Sequence, residues 1–93
     1  MQPTFYPAAL HPADDQGLFG VVVYDINVNA SGATAKEASE DAATMLQEVI
    51  DDLSAAGEDI PAPADADLLD IEDGARLIML PAILPSKTWY SPR

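Results

Sequence analysis

The sequence contains no cysteine, which excludes disulfide bonds and cysteine-based zinc sites. It also contains no run near the roughly 20 consecutive apolar residues that a membrane span needs. The N-terminal residues lack the basic segment and long apolar stretch of a signal peptide. A chain without cysteine fits a reducing compartment, so we expect a soluble, cytoplasmic protein.

Basic residues are scarce. Four of them, Lys36, Arg76, Lys87 and Arg93, stand against 16 acidic residues and leave a net charge of −12. A nucleic-acid-binding surface needs Lys and Arg to displace counterions from phosphate, so direct binding to nucleic acid is not expected. Complementary charge favours encounter with a basic protein partner. The alternative, that the acidity serves only solubility, stays open.

Catalytic and metal-binding motifs are also missing. His11 is the only histidine, and no nucleophile motif or phosphate-binding loop is present. A calcium loop started at Asp65 fails, because its fifth and sixth positions are Leu69 and Asp70. A ribonuclease-H-type centre needs several convergent carboxylates, whereas the first predicted strand has none and Asp25 ends the second. We therefore expect no enzymatic activity, no metal and no cofactor.

Apolar residues make up 48% of the 93 residues, enough for the packed core of one small domain. Short runs rich in β-branched and apolar residues predict four strands, at 4–11, 18–24, 28–33 and 75–84. Gly and Asp in the intervening stretches predict turns between the first three strands.

A capping box, Thr34 with Glu37 three residues later, predicts the start of a long helix over residues 35–56, and Gly57 suits its C-terminal end. The predicted apolar stripe of this helix consists of Ala35, Ala38, Ala42, Met45, Leu46, Val49, Ile50 and Leu53. The opposite side is polar and mostly acidic, so we expect one side of the helix to pack on a sheet and the other to face water.

The order β-β-β-α-β predicts an α+β fold in which a four-stranded mixed sheet is covered on one face by one long helix. The predicted strands carry apolar residues in both registers, whereas a strand exposed on one face alternates apolar and polar residues. We therefore expect the second face, or an edge, to be covered by another chain.

Several short motifs follow one another in a familiar order. They are Tyr6-Pro7-Ala8, Gly17, Asp25-Ile26, Gly32-Ala33-Thr34, Glu37-Ala38 and the exit Gly57-Glu58-Asp59-Ile60-Pro61-Ala62-Pro63. In order and spacing the chain resembles the HicB-like antitoxin domain over residues 5–84. The resemblance implies a degenerate, partial ribonuclease-H-like fold without catalytic carboxylates. It also implies a homodimer or higher homo-oligomer that binds and blocks HicA, a small basic toxin that cleaves messenger RNA.

The chain departs from that family in two ways. The turn after the second strand keeps only the Asp25-Ile26 core of the family's motif. The C-terminal DNA-binding domain of most such antitoxins is lacking, so operator binding is not expected. Two alternatives remain: an acidic, phage-borne or orphan inhibitor of another nucleic-acid enzyme on the same scaffold, and an orphan oligomeric domain without inhibitory role.

We divide the chain into a HicB-like α/β domain, 1–85, and a C-terminal tail, 86–93. The predicted partner-binding residues are Tyr24, Asp25, Ile26, Trp89 and Tyr90. A Trp–Tyr pair is typical of binding hot spots, although the tail could instead fold back and fill the domain's own core. Asp25 could equally accept backbone amides within its own turn.

Overall fold

The computed structural model of the protein describes residues 3–24, 26, 28–65, 71 and 74–84. Every predicted strand and the predicted helix form, with ends within two residues of the expected positions. The elements are β1 (Thr4–His11), β2 (Phe19–Val23), β3 (Val28–Gly32), α1 (Ala35–Ala55) and β4 (Arg76–Ala82). The α+β class, the four strands and the single long helix against the sheet are thereby confirmed.

The sheet has the strand order β3-β2-β1-β4, and every neighbouring pair is antiparallel. The prediction of a mixed sheet is therefore wrong. A direct crossover from β3 through α1 would have made β4 parallel to β1. Instead, Pro61 lies beside Tyr6, whereas β4 begins with Arg76 opposite Leu10 near the other end of β1, and β4 therefore runs antiparallel to β1.

Both ends of α1 use local hydrogen bonds that the sequence predicts. The Thr34 hydroxyl oxygen accepts the Glu37 backbone N–H at 3.0 Å, as expected for an N-cap. The Glu37 carboxylate lies 3.4 Å from the same hydroxyl. At the other end, Gly57 has φ 72°, and the Glu58 N–H donates to the Leu53 carbonyl at 2.9 Å. This bond and the left-handed glycine form a Schellman motif, which satisfies carbonyls of the last turn.

The core lies between α1 and one face of the sheet. On the helix it consists of Ala38, Ala42, Leu46 and Ile50. The sheet and its connections add Tyr6, Ala8, Val21, Val23, Ile26, Val28, Ile60, Leu80 and Ala82. The predicted apolar stripe of α1 is confirmed at these four positions, but Met45 is 37% exposed because it lies beside the stripe that contacts the sheet.

Small residues allow the start of α1 to approach β3 closely. A Cβ atom built on Gly32 would lie 2.7 Å from the Ala38 backbone nitrogen, closer than real Cβ contacts. The next inward helix residues are also small, Ala38 and Ala42, and both are fully buried. The N-terminal half of the helix therefore rests almost directly on the sheet. Within the described residues, no helix is both long and apolar enough to cross a membrane.

Candidate protein-binding surfaces

The outward side of α1 forms a continuous acidic face. We define the acidic face by the exposed carboxylates of Glu37, Glu40, Asp41, Glu48, Asp51 and Asp52. The one basic residue of the helix is Lys36, whose Nζ lies 3.9 Å from a Glu40 carboxylate oxygen. Both side chains of this pair are largely exposed, so the pair contributes little free energy and the acidic face keeps its net negative charge.

An open groove of about 400 Å³ lies beside the first turns of α1. It is bounded by Ser31 and Gly32 at the end of β3, by Ala33, and by the carboxylate residues Glu37, Glu40 and Asp41. The three carboxylates make the lining of this groove mainly polar. Among the described residues, no three His, Cys, Asp or Glu side chains are grouped closely enough to hold a metal ion.

The side of the sheet opposite α1 is apolar over much of β1, β2 and β4, whereas His11 of β1 and Asn29 and Ser31 of β3 add polar side chains to it. We define the open face by side chains that alternate away from the helix, namely Phe5, Pro7, Ala9, Val22, Leu77 and Met79. The four large ones are exposed, Phe5 by 50%, Met79 by 45%, Leu77 by 39% and Val22 by 36%. In the part of the chain that the structure describes, the one helix packs on the other side of the sheet. Apolar residues thus lie on both sides of the strands, and the expectation that another chain covers the second face or an edge stays a prediction.

The open face has a lateral order set by the strand register. Ala9 of β1 lies between Val22 of β2 and Leu77 of β4, and Pro7 lies opposite Met79. Pro7 and Ala9 are small and buried, whereas the residues on the flanking strands are larger and exposed. Along β1 the open face is therefore buried at Pro7 and Ala9 and exposed at Phe5.

The predicted partner-binding residues have different environments. Tyr24 is 36% exposed, and its backbone N–H donates to the Pro7 carbonyl at 3.4 Å, so it adjoins the open face. Ile26 is only 6% exposed and belongs to the core cluster. Its burial gives Ile26 a packing role, and a role in binding stays a prediction. Asp25, Trp89 and Tyr90 lie outside the described residues, so their assignment to partner binding also stays a prediction.

The turn between β1 and β2 is organised by Asp14. One of its carboxylate oxygens accepts the backbone N–H groups of Leu18 at 3.0 Å and Gln16 at 2.8 Å. These two hydrogen bonds, Leu18 first, lower the pKa of Asp14 below its ordinary value. Asp14 therefore has a structural role as the acceptor of the turn, in agreement with the sequence prediction of a turn at this place.

The sequence gives no sign of the contact made by Gln47. Its side-chain amide donates to the Ile83 carbonyl at 2.8 Å and accepts the Ile83 N–H at 2.7 Å. The same Nε2 lies 3.1 Å from an Asp51 carboxylate oxygen. Gln47 thus continues the backbone pairing of β4 by one residue and attaches the chain after β4 to α1. In the sequence it is one polar residue among many on the outer side of the helix.

Comparison with known families adds no identification. No family model matches the chain, and no curated protein matches it significantly. The resemblance to HicB-like antitoxins therefore stays a prediction carried by the motifs alone.

Proposed function

We propose that this protein is an antitoxin-like inhibitor without catalytic activity. It binds a small basic, mRNA-cleaving toxin of the HicA type and covers its active-site surface. The observation that carries the proposal is the acidic face, with six exposed carboxylates on the outward side of one helix and one partly neutralising lysine. The order of the HicB-like motifs supports it further.

The reasoning starts from the substrate of such a toxin. A protein that holds RNA presents Lys and Arg to the phosphates, so its active-site surface is basic. The 21 residues of α1 extend over about 31 Å at 1.5 Å per residue and carry carboxylates along that length. A negatively charged helix of this length competes with RNA for the same basic surface. Charge complementarity also accelerates the encounter, and salt weakens it.

The direct test is inhibition of mRNA cleavage. A small basic, mRNA-cleaving toxin of the HicA type is purified, and its cleavage of a labelled mRNA is measured as the present protein is added. We expect cleavage to stop near one equivalent of inhibitor per toxin. Cleavage that continues in the presence of excess folded protein would refute the inhibitory role.

A charge-reversal pair identifies the surface responsible. The double variant Asp41→Arg/Glu48→Arg reverses two carboxylates of the acidic face, and Asp15→Arg/Asp59→Arg reverses two exposed carboxylates elsewhere. Both change the net charge equally. We expect the first to raise the concentration needed for half inhibition at least about tenfold, because close charge pairs at interfaces contribute more than 1.4 kcal/mol. If both double variants raised the concentration needed for half inhibition equally, net charge alone would explain the effect. The assignment of toxin binding to the acidic face would then be refuted.

The proposal that the protein is not itself a nuclease has its own test. The purified chain is incubated with RNA and magnesium in the absence of toxin. We expect no cleavage above that of a buffer control. Cleavage that disappears in Asp25→Asn would establish a metal-dependent carboxylate centre and contradict the proposal.

A further inference from the structure

The open face keeps its large apolar side chains exposed, whereas Pro7 and Ala9 between them are buried within the single chain. We propose that the C-terminal tail, residues 86–93, folds back over the open face and places Trp89 and Tyr90 on it. The sequence left this pair two roles, partner binding or packing within the domain. The proposal assigns the second role and gives its location. It does not rest on the toxin-binding function, which concerns the acidic face on the other side of the sheet.

An apolar row leads along β4 to the start of the tail. The side chains that alternate outward on β4 are Leu77, Met79 and Pro81, and Ile83 continues the row. All four are exposed. Gln47 of α1 holds the Ile83 backbone by two hydrogen bonds, at 2.7 and 2.8 Å, and so anchors the chain just before the tail. The open face is therefore the nearest exposed apolar surface to the point where the tail begins.

The length of the tail brings Trp89 back onto this row. Five residues lead from Leu84 forward to Trp89, and five lead from Leu84 back to Met79. Five extended residues span at most about 17 Å in either direction. A tail that reverses its direction after Leu84 therefore carries Trp89 over the outward side chains of β4 and leaves Tyr90 beside it.

The exposed area suits one short segment better than a second protein. The exposed parts of Phe5, Val22, Leu77 and Met79 amount to roughly 350 Å², at about 200 Å² for a whole large side chain. A stable interface between two proteins needs about 800 Å² per partner. One Trp and one Tyr bury about 150–250 Å² each, so the two rings together match the area that the open face leaves in water.

Charge favours the tail as the occupant. Residues 86–93 contain Lys87 and Arg93 and no acidic residue, so the tail carries a charge of +2. The remainder of the chain has two basic and 16 acidic residues, a charge of −14. The tail therefore stays in the negative potential of its own domain. Because the side chains that define the open face include no carboxylate, the aromatic pair can cover it without burying an acid.

The fluorescence of Trp89 tests the proposal directly, because the chain contains one tryptophan. We expect its emission in the full chain to be blue-shifted relative to a free tryptophan peptide, and acrylamide to quench it less. Both properties should be independent of protein concentration. Emission like that of the free peptide would overturn the proposal. A blue shift that appears only as the concentration rises would identify a second copy as the cover, and one that appears only with added toxin would identify a partner. Either result would also overturn it.

A matched pair of methionine variants tests the location. Met79→Gln places an amide of similar length beneath the proposed position of the rings, and Met45→Gln makes the same change at similar exposure on α1. The tail would bury the Met79→Gln amide without a hydrogen-bond partner. We therefore expect Met79→Gln to lower the ratio of protected to quenched Trp89 about tenfold, and Met45→Gln to change it less than about twofold. Equal effects of the two variants would overturn the assignment to the open face.

Engineered cysteines give an independent measurement, because the sequence has no cysteine of its own. Met45 lies on the flank of α1 opposite Gln47, which contacts the end of β4, so it serves as the control position. We expect Met79→Cys/Tyr90→Cys to form an intramolecular disulfide at least about tenfold faster than Met45→Cys/Tyr90→Cys under mild oxidation. Equal rates in the two pairs, or disulfides that join two chains, would overturn the folding back of the tail.

Discussion

The close approach of α1 to β3 can be tested by adding a single methyl group. In Gly32→Ala the new Cβ would lie 2.7 Å from the Ala38 nitrogen, 3.0 Å from the Glu37 Cβ and 3.1 Å from the Glu37 carbonyl carbon. Two of these three neighbours are backbone atoms, which cannot rotate away. The start of α1 must then move outward, which loosens the contacts of Ala38 with the sheet.

The expected cost is about 1–3 kcal/mol of unfolding free energy, the usual effect of overpacking a well-filled site. A 93-residue domain has about 5–14 kcal/mol in total, so the variant should still fold. The melting temperature should fall by several degrees for each kcal/mol lost. Urea and thermal unfolding, followed by circular dichroism, measure both quantities.

Gly20→Ala is the matched control. It is also a strand glycine without positive φ, but the nearest atoms to its added Cβ are 3.9 and 4.0 Å away. Because an interior strand glycine is less favourable than alanine by about 0.5–1 kcal/mol, Gly20→Ala should be neutral or slightly stabilising. Our account of the helix–sheet contact would be wrong if Gly32→Ala were as stable as the wild type, or if both variants lost the same free energy.

Two further predictions concern single side chains. The buried Tyr6 hydroxyl donates to the Pro61 carbonyl at 2.7 Å, so Tyr6→Phe should lower the unfolding free energy by about 1 kcal/mol. Tyr24→Phe, at the surface, is the control and should change it by less than about 0.5 kcal/mol. Urea titrations measure both. If Tyr6→Phe and Tyr24→Phe had the same unfolding free energy, the hydrogen bond of Tyr6 would have no structural role. Because folding lowers the pKa of Asp14 below 3.8, its ionised form stabilises the fold above that pH, and the contribution disappears as the pH falls through the lowered value. Asp14→Ala should therefore be less stable than the wild type near neutral pH and approach it in acid. Asp15→Ala is the control. If Asp14→Ala stayed less stable than the wild type by the same amount in strong acid, ionised Asp14 would not be the stabilising acceptor of the turn.

Much of the local structure could be predicted because its causes are local. Thr34 before an acidic first turn predicts the beginning of α1, and Gly57 predicts its end, since capping depends on a few neighbouring residues. Apolar residues in both strand registers predict the exposed open face. The environments of Ile26 and Gln47 could not be predicted in this way. Each depends on residues distant in the sequence, and nothing in the chain near them distinguishes burial or a cross-element hydrogen bond from ordinary exposure.

The number and type of elements, the acidic outer side of the helix and the apolar residues on both sides of the strands could all be predicted from the amino-acid sequence. These properties follow from periodicity and capping, which act within a few residues. The tertiary fold alone settled that β4 runs antiparallel to β1, because the direction of β4 depends on the end of β1 at which it starts. It alone also placed Gly32 against the backbone of α1 and separated the charged and uncharged sides of the molecule, since both depend on packing between distant segments.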